Sequence, residues 1–76
     1  MKFYREVRLD MIKVPQKFLV HTPKVYKMRR ARNFFTKYGV LKERILIDEN
    51  NNLVDGFTSL LVAHENKLEK VEIVRV

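Results

Sequence analysis

Residues 45–68 read ILIDENNNLVDGFTSLLVAHENKL, and the changes of period within this stretch decide the fold. Ile45, Leu46 and Ile47 form a short apolar run, typical of a strand buried on both faces. The segment from Asp48 to Asn52 is acidic and asparagine-rich, and such residues bond their own backbone in turns. Leu53 and Val54 then predict a second strand, so the first half reads as a hairpin. Asp55-Gly56 ends it, with Gly56 supplying the backbone freedom of a tight strand-to-helix corner. From Phe57 the apolar spacing widens to that of a helix. Phe57, Leu60, Leu61, His64 and Leu68 fall on one face, which predicts that Phe57, Leu60 and Leu61 anchor the helix in a core.

Working outward, the chain before this stretch supplies one strand and one helix. Phe3 to Leu9 alternates, with Phe3, Val7 and Leu9 expected inward and Tyr4, Glu6 and Arg8 outward. Arg5 interrupts the inward series, as suits an edge strand protected against sheet-to-sheet pairing. Asp10 to His21 reads as an irregular connection pinned by Ile12, Val14, Pro15, Phe18, Leu19 and Val20. Thr22-Pro23 is a helix-start signal, and Gly39 is suited to the C′ position, so a helix is expected from Pro23 to Tyr38. Its expected inner side is Val25, Met28, Ala31, Phe34, Phe35 and Tyr38. Val71 to Val76 predicts a closing strand, with Val71, Ile73, Val74 and Val76 available for burial. The order is β-α-β-β-α-β, an α+β fold with a small mixed sheet covered by two helices.

Composition narrows the function. At 76 residues the chain is one small domain, and its lack of cysteine excludes disulfides, thiolate metal sites and cysteine nucleophiles. No apolar run reaches the length of a membrane span and no signal-peptide core follows Met1, so a cytoplasmic chain without membrane contact is expected. The net charge of +7 is uneven. Residues 1–42 carry +10 and residues 43–76 carry −3. That asymmetry fits a basic surface facing a polyanion, although lysines also serve solubility alone.

The Ile45–Asp48 strand, the polar turn, Leu53-Val54-Asp55-Gly56, the helix containing Ala63 and the valine-rich closing strand together resemble the ParB/sulfiredoxin fold. More narrowly, residues 7–76 resemble the small ParB-like domains of plasmid and phage proteins, in which the helix ending at Tyr38-Gly39 also has its counterpart. In that family the corner glycine begins a Gly-x-x-Arg phosphate-binding motif. Here the four residues are Gly56-Phe57-Thr58-Ser59, so Ser59 stands where the arginine is expected. A hydroxyl cannot replace the bidentate, charged grip of a guanidinium on phosphate. Sulfiredoxin chemistry requires a cysteine that this chain lacks, and the asparagine-proline-arginine element of CTP-binding ParB proteins is missing. The resemblance also stops where ParB proteins continue into a helix-turn-helix DNA-reading domain. It therefore implies the fold without the enzymatic parts.

Three candidate sites remain. At the corner, Gly56, Thr58 and Ser59 offer amides and hydroxyls to a phosphate or other anion, unless Asp55, Thr58 or Ser59 simply caps the helix. On the 23–38 helix, Arg29, Arg30 and Lys37 are placed to pair with phosphates, Tyr26 to stack on a base or sugar, and Asn33 to bond an edge. Residues 24–37 hold six basic residues and no acid, with Lys24, Lys27 and Arg32 extending the patch. His64, among apolar neighbours, reads as a partly buried core histidine, and no ligand spacing joins it to His21, so neither a metal nor a cofactor is expected. The reading is a non-enzymatic ParB-like module that contacts nucleic acid, DNA ahead of RNA, through the basic helix. The alternative is an adaptor that docks an acidic protein or forms a homodimer, with a vestigial nucleotide-binding domain third.

Overall fold

The computed structural model describes residues 3–76, with side chains from Arg5 onward. The elements are β1 (Phe3–Arg8), a 3-10 turn (Leu9–Met11), α1 (Gln16–Val20), α2 (Val25–Tyr38), β2 (Ile45–Ile47), β3 (Leu53–Asp55), α3 (Phe57–Glu65) and β4 (Lys70–Arg75). The four strands form one mixed sheet in the order β1-β4-β2-β3. β4 runs antiparallel to β1 and parallel to β2, while β2 and β3 form the antiparallel hairpin. The expected order is present, with a 3-10 turn added from Leu9, where the first strand ends one residue early, and a short helix added inside the 10–21 connection.

Register explains the core. Ile45 lies opposite Ile73, and Val7 opposite Val71, so one face of the sheet collects Ile45, Ile47, Val71 and Ile73. α3 covers that face through Leu60 and Ala63, with Leu9 and Leu53 closing the cluster. Arg5 shares this face but sits on the edge strand, opposite Ile73. The expected orientations of Phe3 and Tyr4 lie outside the described residues' side chains. Leu46 points to the other face and is half-buried, so β2 is sealed on one side only.

α2 lies on the flank of α3, where Met28 and Ala31 pack on Val62. Lodged between the sheet and α2, α3 buries Ser59, Leu60, Val62 and Ala63. This corrects the expected face. Leu61 and Phe57 are half-buried and His64 is exposed, because two neighbours at different angles cover a wider arc than one stripe. Further corrections concern the ends of elements. α2 begins at Val25 rather than Pro23, and its N-cap is Lys24, with no capping side chain. Val25 and Tyr38, expected inside, are 73% and 56% exposed, because α3 reaches only the middle of the longer helix. In the connection, Ile12, Val14 and Phe18 pack on the core, but Leu19 and Val20 do not. Val76 follows β4 and is exposed.

The hairpin turn is heavily bonded. Asp48 Oδ1 accepts the amides of Asn50 and Asn52, both at 2.9 Å. The Asn52 amide, with help from Asn50, the Asn52 side chain and nearby Arg75, holds the Asp48 carboxyl below its usual range despite partial burial. Arg75 Nη1 donates to the Asp48 carbonyl at 2.8 Å and to Asn51 Oδ1 at 2.9 Å. Lys13 bridges the outer side of β3, donating to the Asn51 carbonyl and accepting from the Leu53 amide, each at 2.8 Å. A backbone edge that would otherwise invite pairing is thereby partly covered.

Candidate functional site

α2 is built to show one side to solvent. Met28, Ala31 and Phe35 turn inward at helical spacing, and Gly39 stops the helix in a left-handed conformation, its amide donating to the Phe35 carbonyl at 2.8 Å. Directly opposite the inward residues lie Tyr26, Arg29, Arg30, Asn33 and Lys37. At 3.6 residues per turn these five fall within an arc of about 100°. All five are exposed. The helix thus brings the predicted interface residues onto one stripe. The Arg30 guanidinium lies over the Tyr26 ring, 5.9 Å from its centroid, which restrains both side chains at the stripe's start.

Arg32 belongs elsewhere. It donates through Nε and Nη2 to both carboxylate oxygens of Glu65, at 2.9 and 2.6 Å, fastening α2 to α3. These hydrogen bonds hold the Glu65 carboxyl below its usual range. The partner lies on a different helix, so the pair was invisible to a search for acids within 24–37. Lys24 and Lys27 remain exposed at the start of α2.

At the strand-to-helix corner, Gly56 has φ 91° and is buried. A Cβ there would stand 2.3 Å from the Arg44 carbonyl oxygen and 2.9 Å from the Ile45 Cα. The glycine is required both by its conformation and by the close passage of the chain entering β2. Its amide donates to Asp55 Oδ1 at 2.9 Å, and α3 has no side-chain cap. Ser59 is 1% exposed, and its Oγ accepts the Glu43 amide at 2.9 Å. The serine therefore pins the 42–44 loop onto α3 and faces away from solvent. Sequence reading had no signal for this bond, whose partners are sixteen residues apart. Gly56, Thr58 and Ser59 are adjacent in the fold, but of the two hydroxyls only that of Thr58 borders open space.

That space is a cleft of about 400 Å³ between the α1–α2 elbow and the start of α3. Lys24, Tyr26 and Lys27 line it together with Glu43, Asp55 and Thr58. Phe18 and Phe57 also line it, their ring centroids 5.4 Å apart. Its mixed charge gives no uniformly positive seat for a polyphosphate. Among the described residues no cluster of three His, Cys, Asp or Glu side chains is placed to hold a metal ion. No helix there is long and apolar enough to cross a membrane.

No family model matches the sequence, and a search of curated proteins gives no match. Solved structures match the fold closely. A pNOB8-like ParB N-domain in its C2221 form superposes with a TM-score of 0.83 at 17% identity, covering 99% of this chain and 30% of that one. Another pNOB8-like ParB N-domain structure gives 0.81 at 16% identity, covering 99% and 27%. The C-terminally truncated chromosome-partitioning protein ParB from Caulobacter crescentus, complexed with CTP-gamma-S, gives 0.75 at 18% identity, covering 97% and 44%. The chain has the fold of a ParB N-domain and spans less than half the length of each of these neighbours.

Proposed function

We propose that this ParB-like domain is a non-enzymatic module that binds nucleic acid, duplex DNA ahead of RNA, through the exposed stripe of α2. The observation that carries the reading is the stripe itself. Arg29, Arg30 and Lys37 stand in solvent on an outermost helix that has no acid of its own. With no acidic partner among the described residues, cations at that density gain most from a ligand with closely spaced negative charge, and DNA presents about one per 1.7 Å. Duplex is favoured over single strands because one face of Tyr26 is occupied by Arg30 and Tyr38 packs on Phe34, with centroids 4.6 Å apart. Fewer open ring faces are left for stacking bases.

Fluorescence anisotropy with single- and double-stranded DNA and RNA tests the reading. With about three to five phosphate contacts, the logarithm of duplex affinity should fall against the logarithm of salt with a slope of roughly −3 to −4. Arg30→Ala should weaken binding equally across sequences and reduce that slope by about one, as for a phosphate contact. Lys67→Ala, in the acidic half of the chain, should change little. Affinity no tighter than about 100 μM for every oligonucleotide at low salt would end the nucleic-acid reading.

The CTP-gamma-S held by the Caulobacter neighbour has no matching seat in this reading. Ser59 supplies no charge, its hydroxyl already serves Glu43, and the Asp55 carboxylate occupies the Gly56 amide. Calorimetric titration with CTP or ATP is expected to give no binding in the micromolar range. A micromolar dissociation constant for either would return the corner to function.

A further inference from the structure

The elbow joining α1 to α2 has a feature that phosphate binding leaves unused. Leu19, Val20 and Val25 are 58%, 63% and 73% exposed, and Tyr26 follows at 51%. Isolated exposed apolar residues are ordinary, but here they sit together along one short bend. Lys17, Lys24 and Lys27 flank them, and no Asp or Glu occurs between Met11 and Lys42. α2 also starts against the usual electrostatic preference. Its N-cap is Lys24, its first turn contains no acid, and no side chain caps it. Cations at the positive end of a helix dipole are unfavourable unless an external negative group approaches. Beside the bend lies the cleft lined by Lys24, Tyr26 and Lys27 together with Glu43 and Asp55, large enough to admit apolar side chains of a docking segment.

We propose that the α1–α2 elbow docks an acidic segment of a partner protein, one that carries aliphatic or aromatic side chains beside its carboxylates. The carboxylates meet Lys24, Lys27 and the start of α2, while the apolar side chains cover Leu19, Val20 and Val25. Duplex DNA supplies the charge but offers its backbone no apolar surface for these residues. A flat bilayer of anionic lipids covers exposed apolar residues but sends no side chain into the cleft beside them. The inference does not use Arg29, Arg30, Asn33 or Lys37 of the DNA stripe, and shares with that reading Tyr26 and the flanking Lys24 and Lys27.

Selection from a display library of random peptides against the full chain tests this directly. Enriched peptides should combine acidic with large apolar residues. The best of them is then titrated against Leu19→Ser/Val20→Ser, Lys24→Ala/Lys27→Ala and Lys37→Ala, with thermal melts to establish that each variant is folded. Each elbow double variant should weaken peptide binding at least about tenfold, the equivalent of about 1.4 kcal/mol. Lys37→Ala, at the far end of α2, should leave peptide affinity intact, and Leu19→Ser/Val20→Ser should leave duplex DNA affinity intact, which separates this surface from the stripe. Three results overturn the proposal: no enriched peptide, enriched peptides lacking either acids or apolar residues, or binding indifferent to the elbow variants. Vesicles of phosphatidylserine and phosphatidylcholine provide the last arm. If they bind through Leu19 and Val20 while peptides do not, the surface belongs to lipid and the proposal fails.

Discussion

Gly56→Ala is expected to destabilise the domain by about 2–5 kcal/mol, combining left-handed backbone strain with forced overpacking. The contact is backbone against side chain. The new Cβ would meet the Arg44 carbonyl at 2.3 Å, and that carbonyl begins the strand in the middle of the sheet. Relief requires β2 and α3 to separate, which loosens Ile45 and Leu60 at the same time. A domain of this size is held by about 4–11 kcal/mol in total, so the loss is a large share. Chemical denaturation monitored by far-ultraviolet circular dichroism measures it. A midpoint equal to that of the parent would show that α3 does not approach the 44–45 backbone this closely.

Leu60→Ala should cost a comparable 2–5 kcal/mol through lost burial and a residual cavity. Leu60 is 1% exposed and meets Ile45, Ile47 and Ile73 across the sheet interface. The comparison that sharpens the result is Leu61→Ala, one residue along and only half-buried on the α2 side. It should cost clearly less. Equal losses at the two positions would mean that α3 is rotated from the orientation described.

How much of this could be read in the sequence depended on whether the deciding interaction was local. The hairpin, the Gly56 corner and the Gly39 helix stop were all legible, since each is fixed by a few neighbouring residues and their allowed dihedrals. The ParB-like resemblance rested on these same local signals, and the superposed ParB N-domains bear it out at the level of fold. The faces of α3 were not legible. A helix touched by a sheet on one side and another helix on the other has no single apolar stripe, so a one-stripe pattern leaves out the buried Val62 and Ala63 and turns the exposed His64 inward. At the candidate sites, Tyr26, Arg29, Arg30, Asn33 and Lys37 follow from helical spacing alone. The diversion of Arg32 to Glu65, thirty-three residues away, required the tertiary structure. So did the role of Ser59, whose sequence neighbours give no hint of Glu43.

The position of β4 bears on how the domain comes into being. The strand made last in the domain is interior, with β1 on one side and β2 on the other. While the ribosome is still producing residues 1–69, β1 has no partner, because its pairing reaches from Phe3 to Arg75. The β2–β3 hairpin and α3 can associate early, but closing the sheet waits for the final strand, which must pair with β1 from the opposite end of the chain. Until then the apolar face of Ile45 and Ile47 lacks its neighbour Ile73, and the nascent chain has to be kept from pairing with others.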